Sequence, residues 1–468
     1  MTTEKSGQSP APSMNILKCR DDPQPVLFVR EGGSTNQDPK FILEAASSSS
    51  WTTPGKSFGS EALRPRIEPW LTALCQSEHL SLLLGSGLTH AVHRLATGKL
   101  SPGMEPADFG DFKKVVNSAA DNSAKSTGRA SGNIEDQIRV ASELLRGLEI
   151  LGQDDKESEQ KASALKAKLT EVLGSFGKAV LRGERGLVTA NPEQLENALN
   201  YLVSFLMSFA SRTGTRDRLH LFTTNYDRLI EAGAEVAGMH LLDRFVGSLA
   251  PIFRSSRLDL DLHYNPPGVR GEPRYVEGVA RFTKLHGSLD WVDRERNIRR
   301  VGVPFGAESV DPFLGSETAA QLMIYPNAAK DRETAAYPYV ELFRDFAAAT
   351  CRPNHTLIAF GYSFGDEHIN RVIEDMLTIP STHLVVMAFN DPLKRIMNTY
   401  EKVGRHAQIS LLVGDHVGEF QTLVDHYLPK PSIDRTTFRM AELLKARWAV
   451  SQSDRAGTVE GEPPKGVL

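Results

Sequence analysis

The chain has 468 residues, room for two or three structural units with a sizeable core. Hydrophobic residues are 40%, charged residues 24% and the formal net charge is −4, a globular profile that argues against a dedicated nucleic-acid surface. Cys19, Cys75 and Cys351 are scattered with no CxxC pair, no apolar run is long enough to span a bilayer, and Met1 to Ser13 lacks a signal-peptide core; a four-thiolate zinc site is excluded and a reducing, cytoplasmic setting is expected.

Residues 1–60 are rich in Ser, Pro, Gly and Thr, include the run Ser47-Ser48-Ser49-Ser50, and read as a flexible N-terminal arm, with an added edge strand as the alternative. Only Pro25 to Arg30 has strand character there. Leu82-Leu83-Leu84 reads as a buried strand feeding the turn Gly85-Ser86-Gly87, with a helix from about Thr89 to Ala96 that Gly98 stops.

Residues 100–215 interrupt this strand–helix rhythm with a helical insertion. Helical spacing is kept by Ile134, Ile138, Ala141, Leu145 and Leu148, by Leu165, Leu169, Val172 and Phe176, and by Leu195, Leu199, Leu202, Leu206 and Phe209. Asn191-Pro192 with Gln194 reads as a helix start.

The rhythm returns with strands at Leu219–Phe222, Arg281–Leu285, Leu357–Phe360, Leu384–Phe389 and Ile409–Val413, and Asn265-Pro266-Pro267-Gly268 reads as a loop. Ile369, Val372, Ile373, Met376 and Leu377 mark a helix after the third of these strands, and Val417, Phe420, Val424 and Tyr427 another after the last. A basic amphipathic helix is expected over Thr437–Val450, within a tail of residues 431–468. Strands alternating with helices predict an α/β fold: a Rossmann-like, doubly wound, mostly parallel sheet across residues 61–430, interrupted by the helical insertion.

Four polar segments follow apolar runs, where open α/β sheets bind nucleotides. Gly85, Ser86 and Gly87 offer backbone N–H groups to a phosphate, although His90 breaks the GxGxxG dehydrogenase pattern. Thr223-Thr224-Asn225-Tyr226-Asp227 supplies an amide to orient a ribose hydroxyl or a water, or forms only a polar turn. Lys284-Leu285-His286-Gly287-Ser288 supplies an imidazole able to take a proton from a ribose hydroxyl or a water. Gly361-Tyr362-Ser363 supplies a second phosphate or ribose contact, or a turn capped at Asp366, and Asn390 stands after the next strand as a ribose contact or a helix cap.

Together with Asn133-Ile134-Glu135-Asp136, TTNYD at 223–227, KLHGS at 284–288 and GYSFGDEHIN at 361–370, the first glycine turn resembles the sirtuin-like domain of bacterial defence NADases over roughly residues 65–430. Sirtuin deacylases carry a related Gln-Asn-Ile-Asp and usually a four-cysteine zinc module; this chain lacks that module. The resemblance implies that Asn225 and His286 are catalytic, that Asp227 supports the nicotinamide-ribose end, and that Gly85, Ser86, Gly87, Gly361, Ser363 and Asn390 bind the rest of NAD⁺. It implies NAD⁺ as a substrate cleaved to ADP-ribose and nicotinamide during phage defence, no metal, a homo-oligomer, and a HerA-like hexameric ATPase as partner. Asn133 and Glu135 look like scaffold. NAD-dependent deacylation, ADP-ribosyl transfer and a non-catalytic nucleotide-binding subunit stay open as alternatives.

Overall fold

The computed structural model describes residues 14–430 apart from 20, 33–38, 104, 127–130, 213–215, 257, 259, 266–273, 295–296 and 315–336. The helix expected over Thr437–Val450, and most of the loop at 265–268, lie outside the described residues. The chain divides into Met1–Leu428 and Pro429–Leu468, and every element below belongs to the first unit.

Eleven strands form one sheet. In chain order they are β1 Met14–Lys18, β2 Val26–Arg30, β3 Lys40–Leu43, β4 Phe58–Gly59, β5 His79–Leu84, β6 Leu219–Thr223, β7 His240–Leu242, β8 Val279–Lys284, β9 His355–Phe360, β10 His383–Ala388 and β11 Ile409–Val413. Their spatial order is β4-β3-β2-β1-β11-β10-β9-β5-β6-β8-β7. From β11 to β7 all neighbours pair in parallel. The doubly wound, mostly parallel α/β fold read from the sequence is the one observed.

The principal helices are α1 Ser60–Cys75, α2 Ser86–Thr97, α3 Lys113–Ser126, α4 Ile134–Leu151, α5 Lys156–Val188, α6 Pro192–Ala210, α7 Leu229–Val236, α8 Tyr339–Thr350, α9 Glu367–Leu377 and α10 Arg395–Val403. Side chains alternate across a strand, and both sheet faces are covered. Leu82 and Leu84 pack with Ile67 of α1, Val92 of α2, Phe205 of α6 and Ile230 of α7. Leu83 points the other way, into a core with Phe346 of α8, Ile373 of α9 and Tyr400 of α10. That double burial is why the central strands read as continuous apolar runs.

The expected flexible arm differs from its sequence reading. Residues 14–59 supply β1 to β4, an antiparallel extension in which β1 pairs with β11. It is held by rings: the centroid of Phe28 lies 5.4 Å from those of both Phe41 and Phe58. Asn15 pins it to the main sheet, its Oδ1 accepting from the backbone N–H of His416 at 3.0 Å and Val417 at 3.2 Å. The strands cover what would otherwise be an open edge at β11.

The insertion divides in two. Ile138 of α4 and Leu165 and Phe176 of α5 share a separate core with Tyr226, Leu289 and Val292. Helix α6 instead lays Leu202, Phe205 and Phe209 on the sheet, as an ordinary crossover helix before β6. Its start is as read: Asn191 Oδ1 accepts from the N–H groups of Glu193 and Gln194, with Pro192 at the first helical position.

Candidate active site

Strands β9, β5, β6 and β8 are consecutive neighbours, so their carboxyl ends set Gly361, Gly85, Asn225 and His286 side by side along one edge. The chain leaves β5 for β6 on one side and later returns to β9 on the other, which makes β5 the point where strand order reverses and a crevice opens.

The two glycine turns touch through bare backbone. A Cβ on Gly85 would fall 2.4 Å from the Gly361 carbonyl oxygen, and one on Gly87 would fall 2.5 Å from Gly361 Cα. Gly361 itself has φ +61, a conformation that favours glycine. The N–H of Gly85 donates to Phe360 O and that of Gly87 to Gly361 O, each at 3.0 Å. Two of the three N–H groups expected to meet a phosphate, those of Gly85 and Gly87, are therefore engaged, and these glycines serve close packing. Ser86 is exposed at the first position of α2, and a helix N-terminus suits an anion.

Asn225 is buried, and both hydrogens of its amide are committed. Nδ2 donates to Gly85 O and to Thr89 Oγ1, each at 3.0 Å. Thr89 passes the link on, its hydroxyl donating to Asp227 Oδ2 at 2.8 Å. The other oxygen of Asp227 accepts from the N–H of Leu229 at 3.1 Å. Asp227 thus acts on the site through Thr89 and Asn225. Beneath it the buried Lys284 ammonium donates to the Asp227 carbonyl and pairs with Glu231 at 2.9 Å. Asn225 Oδ1 is left as an acceptor of fixed orientation.

His286 stands at the end of β8, partly exposed, with Nε2 2.8 Å from Asp366 Oδ2. The rings of Tyr226 and Phe343 flank it, their centroids 6.3 and 6.5 Å away. Burial, and then the Glu135 carboxylate, push the Tyr226 phenol well above its ordinary value, so it stays protonated and donates to Glu135 Oε1 at 3.3 Å. Glu135, read as scaffold, therefore belongs to the wall behind the site.

Ser363 and Asn390 are exposed at the same edge, after β9 and β10. Asn390 caps nothing; it is Asp391 Oδ2 that accepts from the Met397 N–H, at 3.0 Å, at the start of α10. The guanidinium of Arg395 lies over the turn between them, its Nη1 2.8 Å from where a Cβ on Gly365 would stand.

Thr89, Lys284 and Arg395 carry no site role in the sequence reading, and Asp366 is read there only as a helix cap, which it is. A lysine inside the apolar run RFTKL was the available signal, since a buried lysine demands a partner. Among the described residues no group of three or more His, Cys, Asp or Glu is arranged to hold a metal ion, and no helix is long and apolar enough to cross a membrane.

No curated protein matches the chain. The family model of the SIR2-like domain matches residues 219–407, which take in Asn225, Asp227, His286, Gly361, Ser363 and Asn390 and leave out the first glycine turn and α3–α6. Members of that family are NAD-dependent enzymes, and the matched region spans most of this sheet edge.

Proposed function

We propose that the chain is an NAD⁺ glycohydrolase. The observation that carries this reading is the pairing of two poised groups on neighbouring strands. Asn225 has spent both amide hydrogens and presents only Oδ1, and His286 presents an imidazole at the end of the neighbouring strand. An acceptor carbonyl orients a ribose hydroxyl or a water, and an imidazole takes a proton. The reaction breaks the bond from ribose C1′ to the nicotinamide nitrogen, and the bonding pair leaves with nicotinamide. Water adds to the resulting oxocarbenium-like centre, and its proton passes to His286 and then to solvent. The products are ADP-ribose, nicotinamide and a proton. Positioning and preorganised dipoles supply most of the rate in such a dissociative step. Ser86 N–H at the start of α2, Ser363 and the positive charge of Arg395 suit the pyrophosphate.

On this reading the activity depletes NAD⁺ in phage defence. It would be controlled through self-assembly or through a HerA-like ATPase, with the insertion as the surface on which control acts. The test is nicotinamide release from NAD⁺ by the purified chain beside Asn225→Ala and His286→Ala. Release by the wild type alone, with both variants folded, is the expected result. A His286→Ala chain that releases nicotinamide at the wild-type rate would sink the assignment.

A further inference from the structure

We propose that Asp366 is a positioning residue that fixes the tautomer and orientation of His286, leaving Nδ1 as the nitrogen that takes the proton. The inference rests on the NAD⁺-cleavage reading above. A carboxylate only accepts hydrogen bonds, so the 2.8 Å contact between His286 Nε2 and Asp366 Oδ2 places the ring hydrogen on Nε2. In the neutral ring the lone pair is then on Nδ1.

Asp366 is itself immobile. It is buried, and its Oδ1 caps α9 by accepting from the N–H of His368 at 3.0 Å and of Ile369 at 3.5 Å. One oxygen starts a helix and the other holds the imidazole, so the β9–α9 turn grips the end of β8 across the two strands between them. A cap alone does not need aspartate, because asparagine and serine cap as well. What aspartate adds is an acceptor aimed at Nε2.

The other titratable groups around the ring do not compete for Nε2. Tyr226 is engaged with Glu135, and Lys284 is directed to Asp227 and Glu231. Helix α8 contributes Tyr339 and the Phe343 ring, and His368 of α9 lies beyond Phe343 with ring centroids 6.1 Å apart.

Asp366→Asn tests this directly. Its Oδ1 keeps the helix cap, and its amide offers a donor to Nε2, which forces the hydrogen onto Nδ1. In the full chain labelled with ¹⁵N-histidine, the ring shifts of His286, assigned by their loss in His286→Gln, should report Nε2–H in the wild type and Nδ1–H in Asp366→Asn. Nicotinamide release should fall about 10²- to 10⁴-fold in kcat, the usual span of general acid–base catalysis, with KM for NAD⁺ little changed. Asp366→Ser caps the helix without inverting the bond, and should lose less. It carries the kcat comparison if the asparagine variant fails to fold. Wild-type kcat in a folded Asp366→Asn chain, or Nδ1–H in the wild type, would overturn the proposal. If the wild type cleaves no NAD⁺ the functional reading fails, while the ring shifts still decide whether Asp366 sets the tautomer.

Discussion

Gly361→Ala discriminates between two uses of the glycine turns, packing and phosphate binding. The new Cβ would lie 2.6 Å from Gly87 Cα, whereas carbon atoms prefer about 3.5–4.0 Å. The turns must separate by roughly 1 Å, an overpacking that costs about 1–3 kcal/mol. The left-handed φ of +61 adds about 1–2 kcal/mol for any residue with a Cβ. The sum is about 2–5 kcal/mol of lost stability. Gly87→Ala meets the same backbone, at 2.5 Å from Gly361 Cα, but has no left-handed φ, so its cost is about 1–3 kcal/mol. Once one substitution has parted the turns the second enters widened space, and the double variant should lose less than the sum. Urea midpoints of the four proteins measure this. Nicotinamide release should fall together with stability, because Asn225 hangs from the Gly85 carbonyl. A Gly361→Ala chain with the wild-type midpoint and weakened NAD⁺ binding would refute the packing account and restore the phosphate cradle.

Two further outcomes follow from the same structure. Burial, and after it the charges of His79 and Arg352, lower His355 to about 3, whereas an unfolded histidine titrates at 6.5. The unfolded chain therefore binds this proton first; the contribution is complete above about pH 6.5 and is lost as pH falls toward 3, on the order of 4 kcal/mol in all. Among the described residues neither ring nitrogen of His355 has a hydrogen-bond partner, so His355→Phe should flatten the fall in stability between pH 7 and 4, read by urea unfolding at each pH; an unaltered slope would contradict it. Asn15→Ala leaves the buried N–H groups of His416 and Val417 without their acceptor and should cost about 2–4 kcal/mol, seen as a lower thermal midpoint. An unchanged midpoint would mean that β1 is not held as described.

Burial explains what could be read in advance. Strands β5, β6, β8, β9, β10 and β11 lie in the parallel part of the sheet, covered on both faces, and so appear as apolar runs followed by polar turns. Asn225 and His286 stand out in the sequence because they sit where those runs end. Of the extension only Pro25 to Arg30 is legible as a strand, because MNILK and KFIL are short, mix polar with apolar residues, and stand among Ser, Pro and Gly. The supporting residues were missed for another reason. Thr89 meets Asp227 across 138 positions and His286 meets Asp366 across 80, and no local pattern records such a pairing. The glycine turn was found but assigned a different use, because a close approach to a phosphate and a close approach to another turn require the same residue type.

The insertion anchors the turn that carries Asn225. Along Asn225-Tyr226-Asp227-Arg228, side chains alternate in direction: Asn225 and Asp227 meet Thr89, and Tyr226 and Arg228 meet the insertion. Arg228 forms a buried pair with Glu184 of α5 at 2.5 Å, and its own N–H donates to Glu184 Oε1 at 2.9 Å. Gly306 N–H and the carbonyls of Val303 and Pro304 complete the cluster, so no charge there is stranded. Breaking such a pair costs about 3–5 kcal/mol, several times the roughly 1 kcal/mol of the Tyr226–Glu135 bond. Glu184 thus ties α5 to the backbone next to Asp227. Glu184→Gln, which keeps the shape and removes the charge, should lower both the thermal midpoint and nicotinamide release. Tyr226→Phe, which keeps the ring packed on Phe176 at 5.6 Å, should change either only slightly. If Glu184→Gln loses stability yet releases nicotinamide at the wild-type rate, the clamp supports the fold alone and the insertion has no hold on the chemistry.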